Sequence, residues 1–133
     1  MRYKAGYKYQ LAETYSIALP WLAIQPNHAA DFLLVDGATL TIERGYCWDG
    51  ASGPTWDSKS SMRASLVHDA LYQLMRLGVL PEACRKHADD TLYDLCLEDG
   101  MFKPRAWAWW KAVRLAAGSA AKNGTERAVL SAP

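Results

Sequence analysis

Phenylalanine is nearly absent from this chain: two Phe stand against six Trp and seven Tyr in 133 residues. Trp and Tyr bring ring N–H and O–H groups that need partners when buried, and they suit wet pockets and interfaces as well as cores. Cysteine is scarce, and Cys47, Cys84 and Cys96 make an odd number. Cys84 and Cys96 fall in one predicted helix, roughly 18 Å apart at the helical rise, too far to bridge. A disulfide framework is therefore not expected, and all three are read as reduced. No charge of one sign dominates: 15 basic against 14 acidic residues leave +1, so no nucleic-acid partner is expected. No apolar run reaches the length of a membrane span. The opening MRYKAGYKYQ lacks an apolar signal region, so the chain is expected to be cytoplasmic at synthesis. No segment repeats.

What is present suits a globular chain, with 50% hydrophobic and 22% charged residues. One domain over 1–122 is expected, with a frayed tail, NGTERAVLSAP, over 123–133. The first third favours strands. In DFLLVDGATLTIERGY two short strands flank Asp36-Gly37, a favoured type I′ hairpin pair. Thr39, Thr41 and Glu43 alternate with Leu40 and Ile42, so one face of that strand is buried. Gly45 to Ser61 turns to loop chemistry, GYCWDGASGPTWDSKSS, a length uncommon in a compact domain unless the loop is functional.

Helices follow. Ser60 or Ser61 is a plausible N-cap for one that runs to about Leu77 and ends at Gly78. Pro81 suits the first turn of a second, to about Glu98, with Gly100 beyond it. Pro104 opens a third, through about Lys122. Its stripe of Trp107, Trp110, Val113 and Ala117 is expected to pack the core, leaving Trp109 half exposed. The alternative for this Trp-rich helix is a membrane-interface or protein-docking surface. The order of elements predicts an α+β fold: N-terminal β-hairpins, a long loop over 46–54, then two or three helices.

The stretch SLVHDALYQL carries His68 and Asp69 side by side in an otherwise apolar run. Helical spacing places Leu71, Tyr72 and Met75 on the face of His68, so the imidazole points inward. Asp89 shares its face with Leu92, Tyr93 and Cys96, again an apolar stripe. If helices 62–77 and 82–98 pack antiparallel, Asp89 would accept the Nδ1 hydrogen of His68 and leave Nε2 as a general base. Asp69 then becomes a metal candidate, since hard oxygen ligands suit Ca²⁺ and the glycine-containing WDGASG loop offers backbone carbonyls. Other readings stay open: His68 as a satisfied core histidine, Asp69 as a solvated residue, and Asp89 paired with Arg85 one turn earlier.

Two resemblances meet at these residues. WDGASGP, ASLVHDALY, RKHAD and AVRLAAG look like a family common in phages and prophages, the domain of unknown function catalogued as thirteen fifty-three. Asp49, Ala51, Ser52, Pro54, His68, Asp69, Leu71, Tyr72, Arg85, Ala88 and Asp89 occupy its motif positions. This resemblance implies a phage or bacterial origin and no particular activity.

Locally, His-Asp-x-x-Tyr on a helix resembles the active-site helix of secreted phospholipase A₂. That likeness implies His68 activating water, Asp69 binding Ca²⁺, and Tyr72 helping to hold Asp89. It also implies loop carbonyls from Trp48, Gly50 and Ser52, because counting back twenty positions from His68 reaches Trp48. Asp49 would be an extra ligand or a loop-fixing acceptor. The family's flanking cysteines are Ser65 and Leu66 here, and its second loop glycine is Ser52. LVHDAL also superficially resembles the His-Asp metal phosphohydrolases, for which His87 and Asp90 would be drafted as ligands.

The expectation is a phage-type protein with a Ca²⁺-dependent lipid or ester hydrolase site, its partner a lipid interface or a phage protein. The alternative is a non-enzymatic accessory or virion-associated binding protein with a structural His/Asp/Tyr network.

Overall fold

The computed structural model describes residues 3–4, 9–48 and 59–116. Asp49, Gly50 and Ser52, most of the expected loop over 46–54, the expected helix end over 117–122 and the expected tail over 123–133 lie outside the described residues. The fold is α+β: among the described residues seven strands in two small sheets come first, then three helices. The described residues fall into two compact units, one ending at Trp48 and the other beginning at Lys59.

In the first unit, β1 (Tyr3–Lys4), β2 (Tyr9–Leu11) and β7 (Cys47–Trp48) form an antiparallel sheet in the order β1-β2-β7. Trp48 therefore belongs to a strand, and its ring is fully buried 5.6 Å from that of Tyr9. The second sheet has the order β3-β6-β5-β4, from Tyr15–Ala18, Thr39–Ile42, Leu33–Asp36 and His28–Ala30. The expected alternation holds, with Leu40 and Ile42 buried and Thr39 and Thr41 half-buried. Leu33 and Val35 bury the same face of β5, which is why the pairing keeps Leu33 opposite Ile42 and Val35 opposite Leu40.

The hairpin turn corrects one detail. Asp36 pairs with Thr39, so the two-residue loop is Gly37-Ala38 rather than Asp36-Gly37. Only Gly37 takes positive φ, at 60°, the pattern of a type II′ turn with glycine first. Asn27 secures the turn by accepting the Gly37 N–H at 2.9 Å.

A second glycine is needed for a different reason. Gly45 has φ 99° and donates its N–H to Leu11 O at 2.8 Å, while a Cβ built there would sit 2.9 Å from Phe32 Cε1. Gly45→Ala is expected to cost about 2 kcal/mol, combining left-handed strain with a displaced ring. Urea unfolding checks this, and a loss under about 0.5 kcal/mol would contradict it.

The second unit is helical: α1 (Lys59–Arg76), α2 (Arg85–Glu98) and α3 (Lys103–Ala116). A 3₁₀ turn over Glu82–Cys84, entered from Pro81, leads into α2. Gly78 ends α1, and Gly100 ends α2, with the same bond pattern. Their N–H groups reach back to Met75 O and Leu97 O, and those of Val79 and Met101 reach Leu74 O and Cys96 O. With φ of 79° and 91° these are Schellman caps, and glycine is the residue that tolerates the turn. The Gly78 cap turns the chain from α1 toward α2, and the Gly100 cap turns it from α2 toward α3. Arg63 near the start of α1 pairs with Glu98 and Asp99 at the end of α2, so the two run antiparallel.

The rotation of α3 overturns an expectation. Trp109 is buried, 2% exposed, with Ala106 and Val113, whereas Trp107 is 52% exposed. Of the expected stripe, Val113 is buried and Trp110 half-buried, Trp107 is exposed, and Ala117 lies outside the described residues. Two polar anchors set the rotation: Trp110 Nε1 donates to Asp90 Oδ1 at 2.9 Å, and Arg114 Nη1 donates to Asp89 Oδ2 at 2.8 Å. Once Trp110 and Arg114 face α2, the i−1 and i−4 positions, Trp109 and Ala106, fall on the apolar seam.

Candidate active site

Asp89 is the centre of the second unit's polar chemistry. Its side chain has no exposed surface, and a buried carboxylate is tolerated only with partners for its lone pairs. Oδ1 lies 2.7 Å from His68 Nε2 and accepts the Tyr72 hydroxyl at 2.6 Å. Oδ2 accepts from Arg114 at 2.8 Å, with Arg85 Nη1 further off at 3.9 Å. Residues one helical turn apart on α1 thus converge on one oxygen, and the third helix holds the other. The His68 and Tyr72 rings lie 4.2 Å apart between centroids.

The electrostatics follow from this packing. Burial by itself would raise the Asp89 carboxyl. The bonds from His68, Tyr72 and Arg114 outweigh it and hold the group below its ordinary 3.8. Burial first, then the bond to Asp89, holds the Tyr72 hydroxyl well above its ordinary range. Asp89 is therefore an anion that only accepts, so Nε2 of His68 carries a hydrogen. In the neutral ring the lone pair then sits on Nδ1, and no described residue bonds that atom.

This reverses the expected assignment, in which Nδ1 met Asp89 and Nε2 was the base. The reason is reach. Packed helices stand roughly 8–10 Å apart, and Nε2 is the nitrogen far from its own backbone, so it is the one that crosses to α2.

Arg114 and Arg85 had no expected role as a pair. Arg85 donates to the carbonyls of Val113 at 3.3 Å and Arg114 at 3.2 Å. Both carbonyls lie in the last described turn of α3. Arg85 so fixes the turn that carries Arg114, and Arg114 reaches Asp89. One signal for Arg114 is visible in the chain: a buried carboxylate facing only a histidine and a phenol lacks a permanent cation. Arg114 lies one turn after Trp110 on the remaining helix.

The other candidates stand apart from this network in what is described of them, and Asp49, Gly50 and Ser52 lie outside the described residues. Asp69 is half-buried on α1, one position round from His68, and Trp48 is in β7. Among the described residues no three His, Cys, Asp or Glu side chains gather closely enough to hold a metal ion. Any cation at Asp69 would take its other donors from backbone carbonyls or from residues outside those described. The phosphohydrolase ligands do not assemble either: His87 is exposed, and Asp90 bonds Lys86 and Trp110. Thiol chemistry is disfavoured beside the site. Burial, then the charge of Asp99, pushes the Cys96 thiol up to about 12, so little thiolate forms near neutrality.

A three-helix unit organised on one buried carboxylate, with a histidine and a tyrosine on it, defines a protein with a His-Asp dyad. Residues 29–113 match the family described as a protein of unknown function (DUF1353), and the chain belongs to that family. Neither the curated proteins nor the solved structures gave a match to this chain.

Proposed function

We propose that the His68–Asp89 dyad is the general-base centre of an ester hydrolase resembling phospholipase A₂. The observation that carries this reading is the bond from His68 Nε2 to a carboxylate also held by Tyr72. That arrangement orients the ring, stabilises the imidazolium that forms on proton uptake, and directs Nδ1 away from Asp89. Nδ1 would take the proton from a water attacking an ester carbonyl and return it to the leaving alkoxide.

The reading includes Ca²⁺, held by Asp69 with the carbonyls of Trp48, Gly50 and Ser52, and Asp49 as a further ligand or loop-fixing acceptor. Sequence spacing supports this part, and the ion would polarise the carbonyl oxygen. The family's phage association, which this reading carries with it, points to a bacteriophage or prophage setting.

Calorimetric titration with Ca²⁺ tests the metal. The expected result is a saturable isotherm for the native protein that Asp69→Ala weakens at least about tenfold, as losing one charged ligand requires. No heat from the native protein would remove calcium from the reading. Phospholipid turnover in mixed micelles tests the hydrolase.

A second reading is favoured by Arg114. With Arg114 on Oδ2 and two donors on Oδ1, Asp89 is fully satisfied, as a network that fixes one helix packing would be. A non-enzymatic phage accessory or virion-associated binding protein would need nothing more. It gains if neither assay responds while His68→Gln lowers the melting temperature by several degrees.

A further inference from the structure

The outward side of α3 is apolar and basic and carries no acid. Trp107 and Leu115 are 52% and 76% exposed, Lys103, Pro104 and Lys111 are exposed beside them, and Phe102 just before the helix is 74% exposed. Helical spacing places Pro104, Trp107, Lys111 and Leu115 on one stripe opposite the buried Ala106, Trp109 and Val113. Lys111 Nζ stands 5.8 Å from the Trp107 ring centroid, so the ammonium and the indole already share one patch. Of the two arginines of α3, Arg114 is committed to Asp89 and Arg105 is half-buried.

The charge pattern is as uneven as the exposure. From Gly100 to Thr125 the chain has five basic residues and no Asp or Glu, against a net charge of +1 for the whole. A solvated helix face in a protein of balanced charge ordinarily mixes both signs. Exposed Trp and Leu flanked by lysines, with no carboxylate to repel phosphate, is what lies flat in a lipid headgroup layer. There the rings sink toward the acyl boundary while the lysine stems lie along the surface and keep their charges in the headgroups.

We infer that the Phe102, Trp107, Lys111 and Leu115 face of α3 docks on an anionic lipid surface. The inference stands on residues separate from the His68 dyad. It would hold for a binding protein as for a hydrolase, in which case it would deliver the enzyme to an aggregated substrate.

The test is sedimentation of the full chain with vesicles of ether-linked phosphatidylcholine, with and without ether-linked phosphatidylglycerol. Ether lipids resist ester hydrolysis, so binding is read whether or not the hydrolase proposal is right. The native protein is expected to sediment with the anionic vesicles at low salt, to bind pure phosphatidylcholine at least about tenfold more weakly, and to be released by ~0.5 M salt. Lys103→Glu with Lys111→Glu is expected to weaken anionic binding at least about tenfold. Trp107→Ser with Leu115→Ser should do so by a similar factor. All four positions are exposed, and unchanged melting temperatures would show that the variants fold. Equal binding to both vesicles, binding to neither, or indifference to both variants would each overturn the inference. So would a concentration-dependent dimer in ultracentrifugation that the Trp107→Ser change dissolves, which would assign the face to a second copy of the chain.

Discussion

Asp89→Ala is expected to lower the unfolding free energy by about 3–5 kcal/mol, the range for removing one partner of a buried charge network. The side chain it removes is fully buried and accepts from His68, Tyr72 and Arg114. The alanine variant leaves all of those donors facing a cavity, and each unmet buried donor costs about 1–3 kcal/mol unless water enters. Asp89→Asn retains the volume and one acceptor oxygen, and should lose roughly half as much. Urea and thermal unfolding measure both, and a loss below about 1 kcal/mol for Ala would mean that the network does not hold the helices.

The same carboxylate predicts the acid limb of stability. Its folded-state value lies below the ordinary 3.8 because the three donors outweigh burial. A depressed group stabilises the fold fully above its unfolded value, and that contribution disappears as pH falls through the folded value. The stability gap between the native protein and Asp89→Asn should therefore close as pH falls below about 4. A gap that stayed undiminished below that pH would exclude an ionised Asp89.

Much of this site was legible because its parts are local. His68, Tyr72 and Asp89 each sit in an apolar helical stripe, and Gly78 and Gly100 mark where the chain must reverse. Periodicity and Gly78 thus suffice to fold α2 against α1, and Gly100 marks the next reversal, into α3. The rest depended on groups whose roles are set by tertiary packing. Which nitrogen of His68 meets Asp89 depends on interhelical distance, which no spacing along α1 encodes. The rotation of α3 escaped because Trp107, Trp109 and Trp110 are equally hydrophobic by composition. Hydrogen bonds to Asp89 and Asp90 decide among them. Arg114 escaped for the same reason, being a long side chain whose partner is far away in sequence. In the first unit the binary pattern of Thr39–Ile42 was sufficient. The turn register was not, since Asp-Gly and Gly-Ala both offer a glycine and the strand pairing chooses between them.

His68→Gln is expected to reduce ester turnover by about 10²–10⁴-fold, the usual worth of a positioned general base. Glutamine is nearly as long, and its amide can donate to Asp89 Oδ1 in place of Nε2–H, so the helix pair should persist. What it lacks is a nitrogen that accepts a proton on the far side of the ring. Turnover should therefore fall while the melting temperature moves by only a few degrees. Tyr72→Phe separates orientation from proton transfer. It removes one of the two donors on Oδ1 and leaves the base in place, so the loss should be nearer tenfold and fall on kcat rather than KM. Initial rates on phospholipid micelles and on a soluble short-chain ester, across the three proteins, read both effects. Undiminished turnover in His68→Gln would remove the imidazole from the chemistry. Equal and complete loss in both variants, with collapsed melting temperatures, would leave the dyad as packing. A large loss at His68 with a modest one at Tyr72 fits only a ring that moves a proton while Asp89 and Tyr72 hold it in place.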